Sequence, residues 1–110
     1  MMRRTPERKL IIAEADTRVA VVDGRDMHEL SGFYDALIKA LDFPSYFGQN
    51  MDALDEMLHD LSWIPEPGIK LLVLHEEEML ESQPVNREKA WAVFEDVINP
   101  RLEIILMSPA

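Results

Sequence analysis

Between Asn50 and Leu61 the chain reads NMDALDEMLHDL, which gathers four carboxylates and one imidazole onto one side of a short segment. On a helical wheel, at about 100° per residue, Asp52, Asp55, Glu56, His59 and Asp60 share an arc of roughly 140°. Met51, Leu54, Met57, Leu58 and Leu61 fall on the opposite side. Like charges one turn apart on a helix cost a few tenths of a kcal/mol per pair. No lysine or arginine lies anywhere in residues 40–69, although that stretch also carries Asp42 and Glu66. A merely solvated helix face usually mixes signs. A face of one sign suits a cationic partner, so the chemistry expected here is binding.

Catalysis is hard to build from the same residues. The chain has no cysteine, no glycine-rich phosphate loop and no G-x-S-x-G turn. His28, His59 and His75 are far apart in sequence. Glu56-Met57-Leu58-His59 matches the Glu-x-x-His pattern of di-iron bundles, but those sites need a second copy and further carboxylates on long helices. Asp52, Asp55 and Glu56 lack the alternating spacing and internal glycine of a calcium loop. No catalytic residue, metal site or cofactor is therefore predicted. A carboxylate metalloenzyme remains the weakest of three readings.

The segment just before the acidic helix, Pro44–Gln49, carries Tyr46, Phe47 and Gly48. Adjacent residues of an extended loop point to opposite sides. One ring is thus expected to plug the core and the other to face a partner. Gly48 is expected to supply a backbone angle that other residues resist. Asn50 is the predicted N-cap of the acidic helix.

The elements that must position these groups can be read from periodicity. Arg18–Asp23 is β-branched and apolar and reads as a buried strand. Asp26 and Glu29 have capping-box spacing before a helix running to about Leu41, with Leu30, Phe33, Tyr34, Leu37, Ile38 and Leu41 on one face. After the acidic helix, Ser62–Gly68 is a turn-rich link. Ile69–His75 reads as a strand buried on both faces. Glu76–Ser82 reads as a short helix. Asn86–Ile98 reads as a longer one, with Ala90, Trp91, Phe94, Val97 and Ile98 inward and Asn99-Pro100 as its stop. Leu102–Met107 closes the chain as a strand. Short buried strands joined by helical crossovers predict an α/β fold, a small three-stranded parallel sheet packed by helices.

The 110 residues are read as one domain over 18–110, preceded by a loosely attached extension over 1–17. The formal charge is −10, and it is uneven, because Arg3, Arg4, Arg8 and Lys9 crowd the first nine residues. An acidic field of this kind repels nucleic acid and anionic lipid and attracts basic proteins. The apolar run Leu10–Ala13 is shorter than the roughly 7–15 residues of a secretory signal, and no run approaches the ~20 residues of a membrane span. A cytoplasmic protein is expected, bound neither to nucleic acid nor to membrane.

PSYFGQNMDALDEMLHDL resembles the signature of the barstar family, intracellular inhibitors of guanyl-specific ribonucleases. Pro44, Tyr46, Phe47, Gly48, Asn50, Met51, Asp52, Ala53 and Leu54 match its pattern in place. A weaker likeness extends from about Val19 to Met107. The resemblance implies a barstar-like sheet and a one-to-one complex with a basic, extracellular-type ribonuclease or nuclease toxin. The acidic helix and its loop would block that enzyme's active site. It implies interface roles for Tyr46 and Asp52, and for Asp96 in the last helix. Glu56 stands where barstar has its principal phosphate-mimicking aspartate. Two positions depart from the family: Glu56 is one methylene longer than aspartate, and Asp55 replaces an aromatic residue. The partner-facing set is therefore expected to comprise Tyr46, Phe47, Gly48, Asn50, Met51, Asp52, Asp55, Glu56, His59, Asp60 and Asp96. The alternative is an acidic module for a basic partner that is not a nuclease.

Overall fold

The computed structural model describes residues 2–6 and 16–108. The elements run β1 (Met2–Pro6), β2 (Thr17–Asp23), α1 (Leu30–Leu41), α2 (Met51–Asp60), β3 (Gly68–Leu74), α3 (Pro84–Asp96) and β4 (Leu102–Ser108). Single 3-10 turns lie at Gly24–Asp26 and Glu76–Glu78. β2, β3 and β4 form the expected three-stranded parallel sheet. The N-terminal segment adds a fourth parallel strand, because β1 runs along β4 from Met2↔Ile104 to Pro6↔Ser108. The sheet order is β1-β4-β3-β2. Of the loosely attached extension expected over 1–17, residues 2–6 form strand β1, and residues 1 and 7–15 lie outside the described residues.

One face of the sheet carries the main core. Ala20, Val22, Ile69, Leu71, Val73, Leu102, Ile104 and Leu106 meet Phe33, Leu37, Leu41, Leu54, Leu58 and Phe94 from the helices. The other face holds a small separate cluster of Leu72, Ile105 and Met107. Central β3 is thus buried on both faces, as its continuous apolar run predicts. β2 is not, because it sits at the sheet edge. Val19 and Val21 point away from the helices and stay exposed, so β2 alternates despite its apolar sequence.

Three helices differ from the sequence reading at their ends. Asp26 does not cap α1; it belongs to the 3-10 turn, whose own cap is Asp23, and Glu29 takes the N-cap position of α1 without a side-chain bond. Gly24 is needed in that turn, since a Cβ there would lie 2.0 Å from the His75 carbonyl oxygen. Glu76–Ser82 supplies a single 3-10 turn, with Glu76 buried against Arg87 at 3.1 Å. α3 starts two residues early, with Pro84 preset for a first helical turn, and ends at Asp96. That early end leaves Val97 buried and turns Ile98 out to solvent, where it was expected to point inward.

Candidate functional site

α2 forms for local reasons. Asn50 is extended, and its side-chain oxygen accepts the Ala53 N–H at 2.8 Å, capping the helix start. Leu54, Met57 and Leu58 bury the inner face. Asp52 lies in the first turn, where the helix dipole favours an anion; Asp60 lies at the last residue, where it does not. Asp52, Glu56 and Asp60 are exposed, and Asp55 is half-buried.

The loop ahead of α2 divides its two aromatic rings. Tyr46 is 69% exposed, whereas Phe47 is 8% exposed. Phe47 packs edge-on against Phe43 at 4.9 Å and Tyr34 at 5.8 Å, and Phe43 in turn meets Trp63 at 5.9 Å. Trp63 is fixed by its indole N–H, which donates to the Leu41 carbonyl at 2.8 Å. Phe47 is therefore a correction to the partner-facing set: its ring belongs to the core, and it serves the site by anchoring the loop. Gly48 corrects a second expectation, because no glycine among the described residues has positive φ; the left-handed residue of the loop is Gln49. Gly48 instead makes room for Asn50. Its carbonyl accepts from Asn50 Nδ2 at 3.3 Å, and a Cβ would stand 3.2 Å from that nitrogen. Met51 is half-buried, packed against the core.

The carboxylates of residues 40–69 are not equivalent once Arg18 is placed. Its Nη1 donates to Asp42 Oδ2 at 2.8 Å and its Nε to Glu66 Oε2 at 3.1 Å. The Arg18 hydrogen bond holds the Glu66 carboxyl below the usual glutamate range. Asp42 and Glu66 thus stitch β2 to two loops. Asp60 accepts weakly from the Ser62 N–H at 3.3 Å. Among the described residues, neither the Asp52 nor the Glu56 carboxylate has a side-chain hydrogen bond or ion pair. These two lie one helical turn apart on the outer face of α2.

His59 is turned back onto the fold. Its Nδ1 lies 2.8 Å from the Asp55 carbonyl oxygen and its Nε2 lies 3.2 Å from the Ile98 backbone nitrogen. A carbonyl only accepts and a backbone N–H only donates, so these partners fit a ring that donates through Nδ1 and accepts through Nε2. The next residues hold the same junction. Asn99, 6% exposed, donates to the Leu58 carbonyl at 3.0 Å. Arg101 donates to the carbonyls of Leu61 at 3.0 Å, Glu66 at 2.6 Å and Ile64. Sequence reasoning read Asn99 only as part of a helix stop and missed Arg101, whose only signal was polarity beside a strand. Asp96 is exposed near the end of α3, which packs against α2. A groove lined by Asn50, Met51, Asp52, Asn86, Lys89 and Ala92 separates the start of α2 from α3. Lys89 brings a cation to the Asp52 side that no residue of the acidic segment supplies.

Groups spaced to hold a cation lie elsewhere. Among the described residues they are His28, Glu78 and Glu81, and His75, Glu77 and Glu78, all away from α2. His28 Nε2 already meets Glu78 Oε1 at 3.0 Å. Glu56 and His59 belong to neither group. No helix among the described residues is long and apolar enough to cross a membrane.

Residues 17–102 match the family model described as "Barstar (barnase inhibitor)". The chain belongs to the barstar family. That is a family of inhibitors, not enzymes. The match takes in β2, α1, α2, β3 and α3, and so includes every element that builds the acidic face. One curated relative is "Putative ribonuclease inhibitor YrdF" of Bacillus subtilis (strain 168), 40% identical over 50 residues. The alignment covers 46% of this chain and 53% of that protein, so the chain spans about half the length of the relative it matches.

Proposed function

We propose that this barstar-family protein is a stoichiometric inhibitor of a basic ribonuclease or nuclease toxin, acting in the cytoplasm. The exposed carboxylates of α2, led by Asp52 and Glu56, would occupy the cationic site where the enzyme grips RNA phosphate. Charge-assisted hydrogen bonds to arginine and lysine are shorter and stronger than neutral ones, and a carboxylate offers arginine a bidentate partner. Tyr46 would lie against the rim and exclude water, which strengthens the ion pairs beneath it. Asp55, Asp60 and Asp96 would widen the negative field and speed encounter.

The observation that carries this reading is the separation of two carboxylate populations. Asp42 and Glu66 are held by Arg18, while Asp52 and Glu56 stand exposed on one helix face with no side-chain partner among the described residues. Two neighbouring anions left uncompensated repel each other until a cation arrives. The membership of a family described as barnase inhibitors supports the same reading.

Titration against a panel of small guanyl-specific ribonucleases, following RNA cleavage and binding heat together, tests it. One-to-one binding that abolishes cleavage is the expected result. Binding to none of the panel would overturn the ribonuclease reading. A basic partner that is bound away from any phosphate site would favour an interaction module of another kind.

A further inference from the structure

The most exposed large apolar residue among those described is Ile98, at 83%, followed by Tyr46 at 69%. Single exposed apolar side chains are common and by themselves mean little. Ile98 differs in how it is held. Its own N–H is bound to His59 of the acidic helix at 3.2 Å. Val97 before it and Asn99 after it are both buried, and Asn99 is bonded to the end of α2. The side chain is thus displayed on a fixed backbone at the C-terminal end of α2, while Tyr46 stands in the loop before its N-terminal end. A helix of ten residues spans about 15 Å. One exposed apolar side chain thus stands in the loop before the acidic helix, and another belongs to a residue bonded to its last turn.

We propose that Ile98 is a second apolar anchor of the inhibitory surface, resting on the ribonuclease reading above, and that the partner's cationic cleft is bordered by an apolar shoulder facing Ile98. Charge complementarity places the partner over α2, and the Ile98 backbone is bonded to His59 of that helix, the neighbour of Asp60 in the chain. Burying Ile98 there desolvates the neighbouring ion pairs and removes apolar surface from water, two contributions that slow dissociation.

The test uses whichever ribonuclease of the panel binds the wild-type chain, with association and dissociation rates measured at low and high salt. Ile98→Ser should dissociate about tenfold faster with little change in association, and Ile98→Val should stay near wild type. The Ile98→Ser penalty should persist at high salt, since screening weakens charge contacts but not apolar ones. Val21→Ser, on the opposite face of the sheet, is the control and should change nothing. A wild-type dissociation rate for Ile98→Ser, or an equal loss in Val21→Ser, would overturn the anchor and leave the inhibitor reading standing. Failure of the wild-type chain to bind any panel member would overturn both.

Discussion

Arg18 Nε donates to Glu66 Oε2 at 3.1 Å, joining the start of β2 to the link that precedes β3, 48 residues later in the chain. The same guanidinium holds Asp42 at 2.8 Å. Arg18 thus engages two of the six carboxylates of residues 40–69; of the remaining four, Asp52 and Glu56 have no side-chain hydrogen bond or ion pair among the described residues.

The pair gives stability a dependence on pH. The Glu66 carboxyl is held below its ordinary value of 4.5, chiefly by the Arg18 hydrogen bond. Asp23 is held below 3.8, chiefly by its hydrogen bond from Arg25. A lowered carboxylate pKa contributes stability above the unfolded-state value. That stability is lost as pH falls through the folded-state value, because the unfolded chain takes up the proton first. Urea unfolding midpoints should therefore decline from about pH 4.5 downward. Glu66→Gln should make that decline shallower. An unchanged acid limb in Glu66→Gln would refute the assignment.

Removing carboxylates should separate the two populations. Asp52→Ala and Glu56→Ala should each weaken ribonuclease binding by about tenfold or more while the melting temperature holds. Asp42→Ala should leave binding near wild type. Calorimetric titration of the three variants checks this, and equal losses in all three would show that only net charge matters.

The two loop aromatics should part company in the same way. Phe47→Ala empties a site between Phe43 and Tyr34 and should cost about 3–5 kcal/mol of stability. Tyr46→Ala should unfold at the wild-type midpoint and dissociate faster from its partner. Denaturant titration paired with a binding assay reads both, and a destabilised Tyr46→Ala would contradict its exposed placement.

Arg101 predicts a purely structural defect. It serves the carbonyls of Leu61, Ile64 and Glu66 from one planar guanidinium. A lysine carries a single nitrogen and cannot span all three. Arg101→Lys should lose about 1–3 kcal/mol through unsatisfied acceptors, with the ribonuclease affinity of the folded fraction preserved. Full stability in Arg101→Lys would show that water replaces the lost donors.

α2 was legible from sequence because everything that makes it is local. Its Asn50 cap acts three residues away on Ala53, its apolar face repeats at helical spacing, and its acids share the other face. The parallel order of β2, β3 and β4 followed from short apolar strands separated by helices. Tertiary structure decided the rest, because it depends on groups far apart in the chain. Edge position in the sheet, not composition, exposes Val19 and Val21. Tyr34 and Phe43 take Phe47 into the core, and the early end of α3 sends Ile98 outward. Whether a carboxylate is engaged depends on where Arg18 lies, 24 residues before Asp42 and 48 before Glu66. Helical periodicity reports which residues share a face; only the folded chain pairs Asp42 and Glu66 with Arg18 and leaves the Asp52 and Glu56 carboxylates with no ion-pair partner among the described residues.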